Sequence, residues 1–121
     1  TVEKAITLSK EFAQLGDIVG CAYEDLKGTE FDLILNATSA SLTGELPPLT
    51  DGLLAKNGCC YDLAYANQAT AFVKWGKAHA AEKSLDGLGM LVEQAAEAFF
   101  IWRGVRPETQ DVISLLNSER N

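Results

Sequence analysis

The chain has 121 residues, of which 47% are hydrophobic and 22% are charged, and these values indicate one globular domain with a single core. No apolar run approaches the ~18 residues of a membrane-spanning helix, so we expect no membrane partner. Ten basic and 17 acidic residues give a net charge of −7, which argues against a nucleic-acid partner because that partner requires a dense basic surface.

The first half of the chain predicts one helix and two strands. Residues 2–15 place apolar side chains on one helical face, and Gly16 supplies a stop. Residues 18–22 (IVGCA) form a short apolar run of strand type. Residues 31–35 (FDLIL) are apolar almost throughout, as strands covered on both faces of a parallel sheet tend to be. Residues 36–52 are rich in Ser, Thr, Gly and Pro and predict a long loop of the kind that often carries function.

A third strand and two more helical segments follow that loop. Residues 53–56 predict a short helix that ends at the turn dipeptide Asn57-Gly58. Residues 59–65 (CCYDLAY) are typical of another strand. Residues 70–81 then predict a helix with an apolar inner face and outward lysines.

Two helices complete the chain. The longer covers about residues 87–103, with Asp86 as its cap and Gly104 as its stop, and the last begins at Pro107. This alternation predicts an α/β fold, a partial Rossmann-like, doubly wound, mainly parallel sheet with C-terminal helices. Only three strands are predicted and no G-x-G-x-x-G loop occurs, so we favour a sheet that lacks its first half over a small variant.

Polar residues follow two of the predicted strands. Open α/β sheets bind ligands beyond the carboxyl ends of their strands. Asn36, Ala37, Thr38 and Ser39 follow one predicted strand in this way, and Tyr65 comes just after the CYDL of the next. The alternative is a strand-ending turn whose side chains satisfy local backbone groups, and general turn behaviour favours it for these four residues alone.

The long helix carries a second candidate surface. Gly87, Met90 and Gln94 are spaced three and four residues apart and therefore share one face. Gly87 and Gly89 each cost roughly 1 kcal/mol relative to alanine, which indicates close approach to the backbone either by a ligand or by the neighbouring sheet. Gln94 interrupts an apolar helix, and its amide group needs a polar partner. From the residues alone, a hydrogen bond to a nearby backbone group or a half-exposed position is favoured over a ligand contact.

Cysteine and histidine usage indicates no metal site. Cys21, Cys59 and Cys60 match neither a disulfide framework nor a C-x-x-C site, and His79, the only histidine, is interpreted as a solvated surface residue. No secretory leader precedes the first helix, so we expect a reducing, cytoplasmic location. The start at Thr1 rather than Met suggests that upstream sequence is missing.

Three segments in fixed order, NATS, CYDxxY and DGLGMLxxQAAxxFxxWRGxxP, resemble those of the shikimate dehydrogenase family. The resemblance implies NADP as the cofactor and, for the parent enzyme, reversible reduction of 3-dehydroshikimate to shikimate. The cofactor-binding positions that it implies are Thr1, Lys4, Asn36, Ala37, Thr38, Ser39, Leu63, Gly87 and Met90. The substrate-binding positions that it implies are Tyr65 and Gln94.

The resemblance covers residues 1–121 as the C-terminal part of the NADP-binding domain. The family's glycine-rich loop and its substrate domain, with the catalytic lysine and aspartate, have no counterpart here, so no catalytic residue is assigned and the chain alone is expected to be inactive. A cut sheet edge would favour self-association. Ala71 stands where the family usually has proline, and Leu63 where it often has methionine. The alternatives are a quinate/shikimate dehydrogenase that also uses NAD, and a non-catalytic nucleotide-binding module.

Overall fold

The computed structural model describes residues 1–120, and Asn121, the last residue of the expected domain, lies outside that range. The α-helices are α1 (Val2–Glu11), α2 (Ala71–Ala78), α3 (Leu88–Arg103) and α4 (Gln110–Ser118). The strands are β1 (Phe31–Asn36), β2 (Leu54–Asp62) and β3 (Lys83–Leu85). Short 3-10 turns lie at Ala13–Leu15, Tyr23–Leu26 and Ala40–Thr43. None of the helices in this range is long and apolar enough to cross a membrane.

The three strands form one parallel sheet in the order β1-β2-β3, which confirms the predicted α/β class. The register pairs Leu35 with Tyr61 and Asn36 with Asp62. Because the strands are parallel, their carboxyl ends meet at one edge of the sheet, and the polar residues that end β1 and β2 therefore lie side by side.

Part of the core lies between α2 and the C-terminal end of β2, and Leu53, Leu88, Val92 and Ala96 are buried as well. Phe72 and Val73 of α2 and Cys60 of β2 are buried. Gly76 allows the helix to approach closely, since an added Cβ would lie 2.9 Å from the Cβ of Cys60. Burial of a side chain such as Phe72 stabilises the fold by about 2 kcal/mol. The inward face predicted for this helix is therefore confirmed.

The predicted short helix at residues 53–56 is wrong, because β2 already begins at Leu54. Four residues are too few to offset the cost of helix nucleation, and pairing with β1 is available: the Phe31 N–H donates to the Leu53 carbonyl at 2.8 Å. The expected turn persists as an irregularity within the strand. Asn57 has a left-handed φ of 64°, and the register against β1 shifts there.

The predicted strand at residues 18–22 is also wrong. Within the described range no strand pairs with it, and a strand requires a hydrogen-bonded neighbour. The segment packs on α1 instead, at Gly20, where an added Cβ would overlap the Ala5 carbonyl. The strand that takes the third place, β3, was missed in the sequence because three residues are too few to show a hydrophobic period.

Several helix ends differ from their predicted positions. α1 stops at Glu11 rather than at residue 15, and a 3-10 turn follows it. α4 begins at Gln110 rather than at Pro107; just before it, Thr109 donates a 2.6 Å hydrogen bond to Glu93 of α3. α3 begins and ends within one residue of its predicted bounds, and Gly104 ends it with a left-handed φ of 70°.

Candidate functional site

A buried polar cluster lies at the carboxyl ends of β1 and β2. Asp62 is 0% exposed, and its carboxylate accepts hydrogen bonds from Asn36 Nδ2 (3.2 Å) and from the backbone N–H of Ala64 (3.1 Å). Its second oxygen accepts from the hydroxyls of Ser41 (2.6 Å) and Thr70 (2.7 Å). Every member is therefore satisfied, as a buried polar group requires.

Asn36 shapes the loop that follows β1. Its side-chain oxygen accepts hydrogen bonds from the Thr38 N–H at 3.1 Å and from the Thr38 hydroxyl at 2.7 Å. This is the Asx turn that the sequence offered as the alternative to a ligand site. The turn nevertheless leaves Ala37, Thr38 and Ser39 exposed at the edge of the sheet. Local capping and an accessible surface therefore coexist at this loop.

The end of β2 contacts both the loop after β1 and the start of α3. The Leu63 N–H donates to the Asn36 carbonyl at 2.9 Å, and the Gly87 N–H donates to the Ala64 carbonyl at 3.0 Å. An added Cβ at Gly87 would overlap the Leu63 carbonyl oxygen. Gly87 therefore makes the tight helix–sheet contact, one of the two interpretations that the sequence left open. At Gly89, by contrast, no heavy atom outside its own helix backbone lies within 4 Å of the position of an added Cβ.

Met90 and Gln94 lie on the α3 face predicted from their spacing. Met90 is half-buried, and Gln94 is exposed, as its favoured interpretation allowed. The buried side of α3 is formed by Leu88, Val92 and Ala96, which are spaced four residues apart and therefore form one stripe along the helix.

Tyr65 is 49% exposed and lies in an open cleft of about 510 Å³. The other residues that line the cleft are Ala66, Asn67, Leu88, Leu116, Glu119 and Arg120. Arg120 forms a 2.6 Å ion pair with Asp86, and Asp86 also caps the start of α3 through a 3.2 Å bond from the Leu88 N–H. This confirms the capping role predicted for Asp86 and connects the end of α4 to the Tyr65 cleft.

Thr1 and Lys4 are exposed at the start of α1, in clefts apart from the Asp62 cluster. Tyr23 connects the two regions, because it lines the cleft at Thr1 and also the cleft of about 540 Å³ at Thr38 and Ser39. Within residues 1–120, Lys4 has no carboxylate within 4 Å. Its ammonium group is therefore available to an anion.

Sequence reasoning missed the participation of Asp62, Ser41 and Thr70. A signal existed for Asp62, which ends the apolar run of β2 as Asn36 ends β1. The pairing of the two strands is a tertiary property, and so the apposition of these side chains was not visible in the sequence. Ser41 and Thr70 enter the cluster only through the path of their loops.

The remaining candidates are structural. His79 is half-buried, stacks on Trp75 with ring centroids 4.4 Å apart, and places Nδ1 2.8 Å from the Trp75 carbonyl, so the solvated surface position predicted for it is wrong. All three cysteines are free thiols. Burial, with a smaller contribution from Cys59, raises the pKa of the Cys60 thiol, as for a packing residue. In the described part of the chain, no three His, Cys, Asp or Glu residues are placed to hold a metal ion.

Sequence comparison connects the chain with one enzyme family. Residues 87–116 match the family model of the shikimate 5'-dehydrogenase C-terminal domain. The shikimate dehydrogenase (NADP(+)) of Methylococcus capsulatus is 59% identical over 120 residues, which cover 99% of this chain and 43% of that protein. The shikimate dehydrogenase (NADP(+)) of Nitrosococcus oceani is 56% identical, over 98% of this chain and 42% of that protein.

Solved structures show the same similarity. An Ael1 enzyme from Pseudomonas putida superposes with a TM-score of 0.84 at 45% identity, over 96% of this chain and 42% of that one. A Thermus thermophilus shikimate 5-dehydrogenase in complex with shikimate gives 0.72 at 29% identity, over 94% and 40%. A shikimate dehydrogenase in complex with NADP+ gives 0.71 at 30% identity, over 100% and 45%. The Rossmann-like fold is thus confirmed, and the chain spans less than half the length of each of these proteins.

Proposed function

We infer, from the membership of this chain in the shikimate dehydrogenase family, that the full-length protein reversibly reduces 3-dehydroshikimate to shikimate with NADPH. The observation that carries this inference is the meeting of all three family segments at one edge of the sheet. The Leu63 N–H donates to the Asn36 carbonyl, and the Gly87 N–H donates to the Ala64 carbonyl. Parallel α/β sheets bind dinucleotides at such an edge.

The residues at this edge fit an NADP molecule. Exposed Thr38 and Ser39 line a cleft whose volume is in the range of small-ligand sites, and the neighbouring Ala37 is exposed as well. On α3, the backbone at Gly89 is open and Met90 is half-buried, which supports an apolar wall for a nicotinamide ring. When bound, NADP supplies or accepts the hydride, and the protein supplies position and charge.

The start of α1 would hold the 2'-phosphate that distinguishes NADP from NAD. Thr1 offers a hydroxyl, and Lys4 an ammonium group without a carboxylate partner in the described range. A lysine is a common phosphate-binding side chain. Leu63, 37% exposed, and Gly87 would then lie on the nicotinamide side, at the other end of the cofactor.

Tyr65 and Gln94 would orient the substrate. Both side chains are exposed, and both belong to elements that meet at the Ala64–Gly87 contact. A phenol and an amide supply hydrogen bonds to the hydroxyl and carbonyl groups of a polyhydroxylated acid without charge transfer. The role of this chain in the reaction is therefore to bind and orient, and none of its residues is assigned to proton transfer.

We further propose that residues 1–121 are the C-terminal part of the NADP-binding domain of a longer, cytoplasmic enzyme. The coverage of 43% of the Methylococcus capsulatus protein supports this proposal. Three free cysteines are consistent with a reducing compartment. The substrates, shikimate and 3-dehydroshikimate, would contact this chain together with segments outside it.

The test is shikimate-dependent NADPH formation by the full-length protein, with Gln94→Ala in parallel. Loss of one substrate hydrogen bond should lower kcat/KM by about two- to tenfold. Gln110→Ala, at an exposed glutamine of α4, is the matched control and should behave as wild type. The 121-residue chain alone serves as the negative control, since we expect no turnover from it.

Either outcome of this assay is informative. An inactive full-length protein would favour the non-catalytic nucleotide-binding module. An active protein with an unaffected Gln94→Ala variant would leave Gln94 as a solvent-exposed position of α3 without a substrate role. Activity that falls only in Gln94→Ala would support the proposed substrate side of the site.

A further inference from the structure

Asp62 is a fully buried carboxylate, and its hydrogen-bond partners in the described residues are all neutral groups. Within residues 1–120 no Lys, Arg or His nitrogen lies within 4 Å of it. Four neutral donors occupy it instead, two on each oxygen, at 2.6–3.2 Å. An ionised carboxylate has about four acceptor positions, so the group is saturated. A network that is buried and fully satisfied rigidifies the segments that supply its members.

The four donors come from four different segments. Asn36 ends β1, Ser41 lies in the 3-10 turn of the following loop, Ala64 follows β2, and Thr70 caps α2. The Thr70 hydroxyl also accepts the Val73 N–H at 3.2 Å, so the cap and the carboxylate share one group. A buried apolar residue would fill the same space but would not orient any of these segments.

Two of these segments carry the proposed binding residues. On the cofactor side, Asn36 holds Thr38 through its side-chain oxygen. On the substrate side, Ala64 lies between Leu63 and Tyr65 in the chain, and its carbonyl receives the Gly87 N–H. The positions of the loop after β1 and of the segment after β2 therefore both depend on the Asp62 carboxylate.

We propose that Asp62 is a positioning residue, which fixes the NADP-binding loop and the substrate-binding Tyr65 segment relative to one another. This rests on the proposed function. Asp62 is fully buried, and both of its carboxylate oxygens are occupied by protein donors, so no surface of it is offered to a ligand. Its effect on the reaction is through geometry, to which hydride transfer between two bound molecules is sensitive.

The test is Asp62→Asn in the full-length enzyme, which keeps the size of the side chain and replaces one acceptor oxygen by a donor. That donor would face the Ser41 and Thr70 hydroxyls, both of which now donate. At a temperature at which the variant is folded, kcat/KM should fall by roughly ten- to hundredfold, with a higher KM for both NADP and shikimate. Asp32→Asn, at an exposed carboxylate of the same sheet, is the control and should match wild type.

Ser41→Ala is the second variant, and it remains informative if Asp62→Asn does not fold. It removes a donor on the cofactor side only, so KM for NADP should rise while KM for shikimate stays at the wild-type value. A folded Asp62→Asn with wild-type constants, or a lower Tm with unchanged kinetics, would overturn the proposal, as would an unchanged KM for NADP in Ser41→Ala. A wild-type enzyme without shikimate-dependent activity would instead remove the proposed function, and the positioning role with it.

Discussion

At the scale of single residues, the carboxyl ends of β1 and β2 are defined by hydrogen bonds. Asn36 donates through its amide group to Asp62 and accepts through its carbonyl group from Thr38, so one side chain serves both the buried cluster and the exposed loop. The orientation of that amide follows from its neighbours, because only the nitrogen can donate to a carboxylate. The conformation of the exposed loop after β1 therefore depends on the buried Asp62 carboxylate, through Asn36.

Lys4 provides a test at this scale. If its ammonium contacts the 2'-phosphate, Lys4→Ala should raise KM for NADP by about fivefold, the effect of one exposed charge pair. KM for NAD, which lacks that phosphate, should not change. Steady-state kinetics with both cofactors in the full-length protein provide the measurement.

Lys10→Ala is the matched control for this prediction, since Lys10 is exposed in the last turn of the same helix. An equal effect of the two substitutions, or an equal effect on the two cofactors, would show that Lys4 acts through the general field of the protein and not through the phosphate.

At the scale of elements, the contact between α3 and the end of β2 depends on a residue without a side chain. Gly87 precedes α3, is buried, and brings its backbone against the Leu63 carbonyl. Gly89, two residues later, has no heavy atom near the position of an added Cβ. The two glycines of the DGLG segment therefore differ in their structural roles. Helix propensity alone does not distinguish them, because it assigns the same cost to both.

Gly87→Ala should therefore lower the free energy of unfolding by about 3 kcal/mol, because the new methyl group must displace backbone atoms. Gly89→Ala should leave it unchanged or raise it by about 0.5–1 kcal/mol, as for glycine replacement in a helix. Chemical denaturation of the full-length protein measures both values. Equal destabilisation by the two substitutions would mean that the contact between α3 and β2 does not explain why position 87 requires glycine.

At the scale of the whole molecule, β1 lies at an edge of the sheet and carries exposed apolar side chains. Leu33 is 54% exposed and Leu35 is 58% exposed. The C-terminal end of α3 is similarly open, with Trp102 79% exposed. An unpaired strand edge beside apolar side chains is a template for another strand.

We accordingly expect the 121-residue chain, expressed by itself, to self-associate. Leu35→Lys should weaken the association, since a charge on the edge strand opposes further pairing. Leu42→Lys, at an exposed residue of a 3-10 turn, is the control. Sedimentation equilibrium over a range of concentrations measures the mass of the associated species. A strictly monomeric chain at high concentration would contradict the expectation.

The predictions that succeeded concern elements with a strong local pattern. β1 and α3 were predicted within one residue of their observed bounds, whereas α2 ends at Ala78 rather than at residue 81. An apolar run or a helical period of eight or more residues is visible without neighbouring elements. The predictions that failed concern short segments. IVGCA has the composition of a strand but no partner in the described chain, and the three residues of β3 become a strand only because β2 lies beside them.

Local periodicity and composition are enough to predict the α/β class, the main helices, and the positions at which polar residues end the strands. The resemblance of its segments to one family supplied the proposed cofactor and substrate. Two features are visible only in the folded chain: Asp62 accepts hydrogen bonds from Asn36, Ser41 and Thr70, and Gly87 rather than Gly89 contacts the end of β2. These contacts join residues distant in the chain, and only parallel strand pairing and the path of the loops bring them together.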